Sequence, residues 1–421
     1  MINLLRRMQV PALIDSAPSS PGVFLRADRK TRVMNAPRPA GLSVEVLPSV
    51  HALVAAQADY DHLQRLTGNT LPFALHDWHV AWCRHFLGAN RHLDSKMMIH
   101  VVRDTDAACV GVVPLILTRR RIGPVNIASV DLLGADPAIT EIRGALLVSG
   151  FETRAAWAVQ RELQARRGFN WVQWNGIGGP FGDALAIGAD LQWQQPLLDY
   201  VVDLPPSWEE LRARMKRNLR ESIRHGYNSL KRDGHAFELR VVHEPEAIAG
   251  ALDHFFALHS QRARLTGTVE HPDHFTSDVS RRFLRDVCAS MAHRGIVRIF
   301  QLWIGDRIVA TRVGFAVGNS LYLYYSGYDP EWAKYGVMTT TLVEAVKYAI
   351  SRGFASVNLS PGTDVSKTRW APRVVPFARA AQVAPTRFSR IAWNLYRHAK
   401  TNGFTSPRLS RFPQAAKRNW T

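Results

Sequence analysis

The stretch from Leu321 to Trp370 constrains this chain more than any other. It opens on Leu321-Tyr322-Leu323-Tyr324-Tyr325, an aromatic run that suits a pleated strand, with Ser326-Gly327 at its end. Tyr328-Asp329-Pro330 reads as a turn, because Pro fixes the chain direction. After Tyr335-Gly336-Val337-Met338-Thr339, apolar Leu342, Ala345, Val346, Ala349 and Ile350 recur at helical spacing, and Gly353 stops the helix. Val357 to Leu359 reads as a second strand, broken by Pro361-Gly362. Strand, turn, glycine, helix, strand presents free backbone N–H groups at a helix start, where the dipole favours phosphate. Gly336 would let a pyrophosphate approach the backbone. An ordinary helix entry beside a sheet has the same spacing, so spacing alone leaves both open.

At 421 residues the chain has room for two domains of about 150 residues each. A hydrophobic fraction of 46% supports ordinary globular cores. Cys83, Cys109 and Cys288 lie far apart in no metal-ligand spacing, which points to buried free thiols in a reducing cytosol. A net charge of +18 draws a protein toward nucleic acid, anionic lipid or acidic substrates. The charge is uneven: no acidic residue follows Asp364, while arginines and lysines continue to Arg418. No apolar run approaches the ~20 residues that span a bilayer. The apolar start at Met1 to Leu5 is too short for a signal peptide. The expectation is a soluble cytoplasmic protein, with or without a peripheral hold on the inner membrane surface through its basic segments.

Residues 1–40, rich in Pro, Ser and Arg, read as a disordered basic leader. Residues 41–200 read as one α+β unit: a strand from Leu42, helices at 50–66 and 76–86, hairpin strands at 97–102 and 109–117, a helix at 153–166 and a strand from Trp171. Gly176-Ile177-Gly178-Gly179 reads as a plain turn, since no amphipathic helix follows. Residues 201–376 read as a second unit. It begins with a basic amphipathic helix at 208–232, either a solvated face or an anion-binding surface. Helices at 248–265 and 275–293 follow, then a meander whose turns are Gly305-Asp306 and Gly318-Asn319. Residues 377–421 read as a basic tail, with a short helix at 388–399 suited equally to anionic lipid and to packing against the domain.

The 321–370 stretch resembles the cofactor half of the GNAT acyltransferases, in particular the CelD-like branch tied to polysaccharide biosynthesis. The aromatic strand, the Tyr328-Asp329 turn, the Tyr335-Gly336 loop and its helix carry the resemblance. So do Gly362, Lys367 and Trp370 of a Gly…Tyr-Lys…Trp pattern, in which Ser366 replaces the Tyr. The general Gln/Arg-x-x-Gly-x-Gly/Ala loop is not kept, since Ala333 and Met338 stand at its ends. Upstream, Pro72-Phe73…Trp78, Val112-Val113-Pro114-Leu115, Leu133-Gly134-Ala135-Asp136 and Leu258-His259…Arg262 resemble the same branch.

The resemblance implies a mixed α/β (α+β) fold of two tandem GNAT-like domains, each a mostly antiparallel twisted sheet flanked by helices. The first would be degenerate and the second catalytic. It implies acetyl-CoA or another acyl-CoA as co-substrate, no metal, and a saccharide or other small polar acceptor. Ser326, Gly327, Tyr335, Gly336, Val337, Met338 and Thr339 would hold the cofactor, and Arg262 and Trp370 the acceptor.

A general base must take the acceptor proton. The candidates are Tyr325, His259, Asp329 and Lys367, and the residues leave the choice open. Lys367 could instead contact cofactor phosphates, and Asp329 could only set its turn. No nucleophile elbow or metal-ligand spacing is present. Two rival functions stand beside acyl transfer. One is a non-catalytic polyanion-binding protein on a decayed GNAT core. The other is aminoacyl transfer from charged transfer RNA, as in the FemAB-like relatives of this branch. One basic helix without coiled-coil heptads disfavours the second, so no specific nucleic-acid partner is expected.

Overall fold

The structure, a computed structural model, describes residues 41–401 except 90–92, 123–124, 136–138, 167, 189 and 266–270. The expected leader, Asp136 and residues 402–421 of the expected tail lie outside the described residues. In the first half, β1 (Ser43–Leu47), β2 (Leu93–Arg103), β3 (Cys109–Ile122) and β4 (Val125–Leu132) pair antiparallel in order. The short β5 (Leu146–Leu147) pairs with the start of β3, and β6 (Trp171–Ile177) lies parallel to β4. β7 (Leu191–Asp203) follows. In the second half, β8 (Phe237–Val242), β9 (Val297–Ile304), β10 (Arg307–Val317) and β11 (Ser320–Tyr328) are again antiparallel in order. β12 (Ser356–Asn358) is parallel to β11, and β13 (Arg373–Val383) comes last.

All the strands join one sheet, ordered β1-β2-β3-β4-β6-β13-β7-β12-β11-β10-β9-β8, with β5 off this path. The order reads alike from both ends. Each half has four antiparallel strands, a fifth parallel to the fourth, and an antiparallel sixth. The sixth strands are exchanged: β7, which follows the first half in sequence, pairs with β12, and β13 pairs with β6. β7 and β13 then pair with each other and close the sheet. The segment expected as a tail from residue 377 therefore begins inside a central strand. Its alternation was hidden by Pro376, tolerated beside a register slip after Phe377, and by Arg379, which donates to Asn175 Oδ1 at 3.4 Å.

β11 is buried on both faces. Tyr322 and Tyr324 enter one core, and Leu321 and Leu323 enter the other, so the strand reads as a continuous apolar run. The hairpin turns at Gly305 and Gly318 hold positive φ as their residue types suggest. Gly176-Ile177 ends β6, and a helix, Gly179–Gly188, replaces the expected turn. That helix is apolar on most sides and buries Phe181, Ala184 and Leu185, so it shows no amphipathic period. The basic helix divides into Trp208–Arg214 and Arg217–Arg232 at a break that carries no Gly or Pro. The three cysteines are buried and free. No helix among the described residues is long and apolar enough to cross a membrane.

The halves share a core. Trp78, on the His76–Phe86 helix of the first half, packs edge-on against Phe283, Phe315 and Tyr324 of the second at 5.1–6.1 Å between centroids. It is 1% exposed, and its Nε1–H donates to Thr140 Oγ1 at 3.1 Å. Trp78→Ala should cost about 3–5 kcal/mol in denaturant unfolding and lower the midpoint of one shared transition. Two separated transitions, with only the first moved, would contradict a shared core.

Candidate active site

β11 and β12 are paired only over Ser320–Tyr322 and Ser356–Asn358. Beyond that, β11 runs on to Tyr328, while the chain after β12 turns away through Ser360, at φ 65°, and Pro361. The parting strands leave a wedge beside β11. On its other edge the register slips: Arg312 pairs with Ser326, and Gly314 with Leu323. Tyr324 and Tyr325 thus stand together opposite Val313, a bulge of the kind that locally disrupts the ladder and re-aims side chains.

Past β11, Asp329 accepts the Glu331 N–H at 3.1 Å and caps a 3-10 turn, Pro330–Tyr335. Gly336 follows at φ 65° and is the N-cap of the Val337–Ser351 helix. The Thr339 N–H donates to the Gly336 carbonyl at 2.9 Å; with no side chain to accept the N–H groups of Val337 and Met338, Gly336 leaves those two for a ligand. A Cβ at Gly336 would meet nothing within 4 Å, so this face is open. Arg369 reaches the same helix end, where its Nη2 donates to Thr339 Oγ1 at 3.0 Å. Its Nε is buried with no partner among the described residues. The Arg217–Arg232 helix packs alongside because Gly226 permits it: a Cβ there would lie 3.2 Å from the Tyr335 carbonyl oxygen. Open donors, a helix start and an unsatisfied guanidinium fit a diphosphate.

The inner end of the wedge is a chamber lined by ionisable groups from both halves, of which Asp199 is buried and Glu141 and Lys367 are half-buried. Glu141, between β4 and β5, accepts the Tyr322 hydroxyl at 2.8 Å. Tyr324 Oη donates to the Ile139 carbonyl at 2.5 Å, so this segment is tied onto β11. Burial raises the Glu141 carboxyl to about 7, although Lys367 and the Tyr322 hydroxyl pull it down. Lys367 Nζ donates to the Pro361 carbonyl at 2.6 Å and to Ser360 Oγ at 3.0 Å. Burial lowers its pKa, opposed by Glu141 and Asp364. Asp199 on β7 accepts Asn358 Nδ2–H at 2.6 Å, and its other oxygen is buried without a partner among the described residues. Burial raises the Asp199 pKa. Beside it opens a polar cleft of about 480 Å³, lined by Ser356, Asn358 and Arg373 of the second half and Asn69 and Thr70 of the first. Arg262 and Arg312 both donate to Ser326 Oγ, at 3.0 and 3.4 Å.

Of the residues expected to hold a cofactor, Tyr335, Gly336, Val337, Met338 and Thr339 gather at the helix start. The Tyr335 hydroxyl is engaged by Asp233 at 3.0 Å and His235 at 3.2 Å. Ser326 and Gly327 lie instead where β11 meets the Pro245–Ala263 helix. A Cβ at Gly327 would stand 2.2 Å from the His259 backbone nitrogen, so this glycine serves close packing. Among the expected bases, Lys367 lines the chamber. Tyr325 borders it, packed against His274, Phe275 and His259 at 4.9–5.7 Å, and burial pushes its hydroxyl well up. His259 donates Nδ1–H to the Ser326 carbonyl at 2.9 Å, and burial lowers its pKa. Asp329 is held by its cap and by Arg307 at 2.9 Å. Of the expected acceptor contacts, Arg262 reaches the chamber, and Trp370 is buried in the core with Leu342 and Leu359. Sequence reasoning passed over Glu141, Asp199, Arg312 and Arg369. Arg312 did leave a signal, a charge in the middle of an otherwise apolar strand.

Residues 217–370 match a family described as an acetyltransferase (GNAT) domain. This segment is similar to GNAT-type domains. Among solved structures, FemX matches at TM-score 0.53 and 8% identity, over 80% of this chain and 98% of that chain. L-PGS from Bacillus licheniformis matches at TM-score 0.48 and 12% identity, over 83% and 97%. A tandem GNAT protein from the clavulanic acid biosynthesis pathway matches at TM-score 0.40 and 14% identity, over 82% and 100%. At 8% identity the likeness to FemX is one of fold, and its coverage extends well beyond the matched domain. No match is found among curated protein sequences.

The GNAT helix start can be tested directly. Asp tolerates the left-handed region better than most residues, so Gly336→Asp should fold and lose about tenfold or more in acetyl-CoA affinity by calorimetry, through like-charge repulsion. Gly336→Asn should bind more nearly as wild type. Equal affinity in all three would remove the diphosphate assignment.

Proposed function

We propose that this chain moves an acyl group from acyl-CoA to an amine or hydroxyl of a polar acceptor, with Glu141 as general base. The observation that carries this is a carboxyl with a pKa of about 7, set where β11 and β12 part. Bound acyl-CoA would supply an activated thioester carbonyl. The helix start at Gly336 to Thr339, with Arg369, holds the diphosphate. Backbone N–H groups at the Tyr324-Tyr325 bulge polarise the carbonyl. Glu141 in its ionised form takes the proton, and a base of this strength is well matched to neutral pH. Tyr322 orients that carboxyl, and Lys367 keeps part of it ionised despite burial. The polar cleft beside Asp199 suits a hydroxylated acceptor. The CelD-like resemblance supports reading such an acceptor as part of polysaccharide or cell-envelope biosynthesis.

A specific observation favours a second donor class. Exposed Arg220 and Arg224 lie on the helix that flanks the same loop, which suits an acyl ester on RNA. RNA affinity falling steeply with salt, with no heat on acetyl-CoA titration, would select that donor. A polyanion binder on a decayed core would turn over neither.

Thiol release from acetyl-CoA against a panel of amino and hydroxylated sugars tests the base. Wild-type activity should rise with pH through about 7, as Glu141 ionises. Glu141→Gln should lose about 10²–10⁴-fold with unchanged acetyl-CoA affinity. Its Tm at pH 8 should not fall, because the cost of burying the ionised carboxyl is gone. Tyr322→Phe removes a bond that lowers the Glu141 pKa, so its midpoint should move to higher pH. A Glu141→Gln enzyme with wild-type rates would rule this base out.

A further inference from the structure

Arg262 and Arg312 bring two positive charges to one neutral hydroxyl. Their shared partner is Ser326 Oγ. The Nε of each is buried and without a partner among the described residues. Arg262 Nη2 also meets the His271 ring, at 2.7 Å from Nε2. Burial, and then Arg262, lower His271 to about 4, so this ring is neutral and adds no compensating charge. Glu141 and Asp364 act on Arg312 only at longer range, and each has other partners: Tyr322 for Glu141, Ser366 and Lys367 for Asp364. Burial and the Arg262 charge both weaken the Arg312 proton affinity. Both residues are half-buried, and guanidinium groups drawn out of water in this way normally sit against carboxylates or phosphates that match their planar fork. This pair, among the described residues, does not.

We infer that Arg262 and Arg312 grip an oxyanion, a carboxylate or a phosphate group, carried by the acceptor. The assignment to the acceptor rests on the acyl-transfer proposal and on which side of the sheet each element lies. The Pro245–Ala263 helix, which bears Arg262, packs through Leu252 and Phe255 into the core of Tyr322 and Tyr324. The Val337–Ser351 helix, whose start takes the donor diphosphate, packs with Leu321 and Leu323 on the opposite face. The oxyanion therefore belongs to the molecule that enters from the face opposite the donor. Its position on the same face of β11 as Glu141 selects acceptors that carry an amine or hydroxyl and an anionic group together, such as an amino acid, an acidic sugar or a sugar phosphate.

The full chain is titrated by calorimetry with sodium glutarate and, separately, inorganic phosphate, each with and without acetyl-CoA. Wild type should bind one of them in both conditions. Glutarate alone assigns a carboxylate, and phosphate alone assigns a phosphate group. Arg262→Met and Arg312→Met should each weaken binding at least tenfold. Without anion, Arg312→Met should raise Tm, because it removes an uncompensated buried charge. A lowered Tm with unchanged anion affinity would make Arg312 a structural residue and overturn the inference. So would failure of the folded wild type to bind either anion while acetyl-CoA binds. Anion binding without acetyl-CoA binding retains the oxyanion pocket and removes the acyl-CoA donor instead.

Discussion

The hydrogen bond from Tyr322 to Glu141 joins the two halves at the point where β11 and β12 separate. Tyr322 is buried and Glu141 half-buried, and the bond also sets the chemistry. A carboxyl with little water around it resists ionisation. Lys367 and the tyrosine hydroxyl return enough stabilisation to hold it near neutrality rather than far above. Remove the first half and the wedge in the second half has no such carboxyl. Under the proposed reaction the second half would hold the donor and the first half would supply the proton acceptor.

The topology explains how one half can serve the other with accuracy. Because β7 and β13 are exchanged and then pair, no seam divides the sheet. Asp199, on β7, is thereby built into the second half's site although it precedes that half in sequence. The shared aromatic core around Trp78 fixes the opposite face. The halves also differ where function requires it. In the second half the link between β11 and its helix is a short capped turn ending at Gly336. In the first half the link between β4 and the Glu152–Arg166 helix is longer, and it carries Ile139 and Glu141 onto β11. The position equivalent to the Gly336 loop is given over in the first half to an arm that reaches β11.

Much of the second half was legible in the chain. Gly305-Asp306 and Gly318-Asn319 forced the hairpins, helical spacing from Leu342 to Ile350 gave the helix, and Gly336 marked its start. Those signals are local, because turn chemistry and period depend on near neighbours. Strand exchange is not local. Arg373, Pro376 and Arg379 read as a basic tail because their partners lie in β6 and β7, nearly two hundred residues earlier. Glu141 and Asp199 likewise carry no motif of their own. Their character comes from burial and from groups that only folding assembles. Lys367, Arg262 and the Gly336 loop were legible as candidates, and the structure brings the first within electrostatic reach of Glu141, the second to Ser326 beside Arg312, and the last to the helix start.

The most direct measurement is the titration of Glu141 itself. Carbon-13 NMR of protein labelled at glutamate carboxyl groups, compared with Glu141→Gln to assign the resonance, reports its ionisation without any acceptor. The account predicts one carboxyl signal, absent from the variant, with a midpoint close to 7. If the missing signal instead titrates with the exposed glutamates near their ordinary 4.3, Glu141 is neither buried nor poised, and the two halves do not share a site.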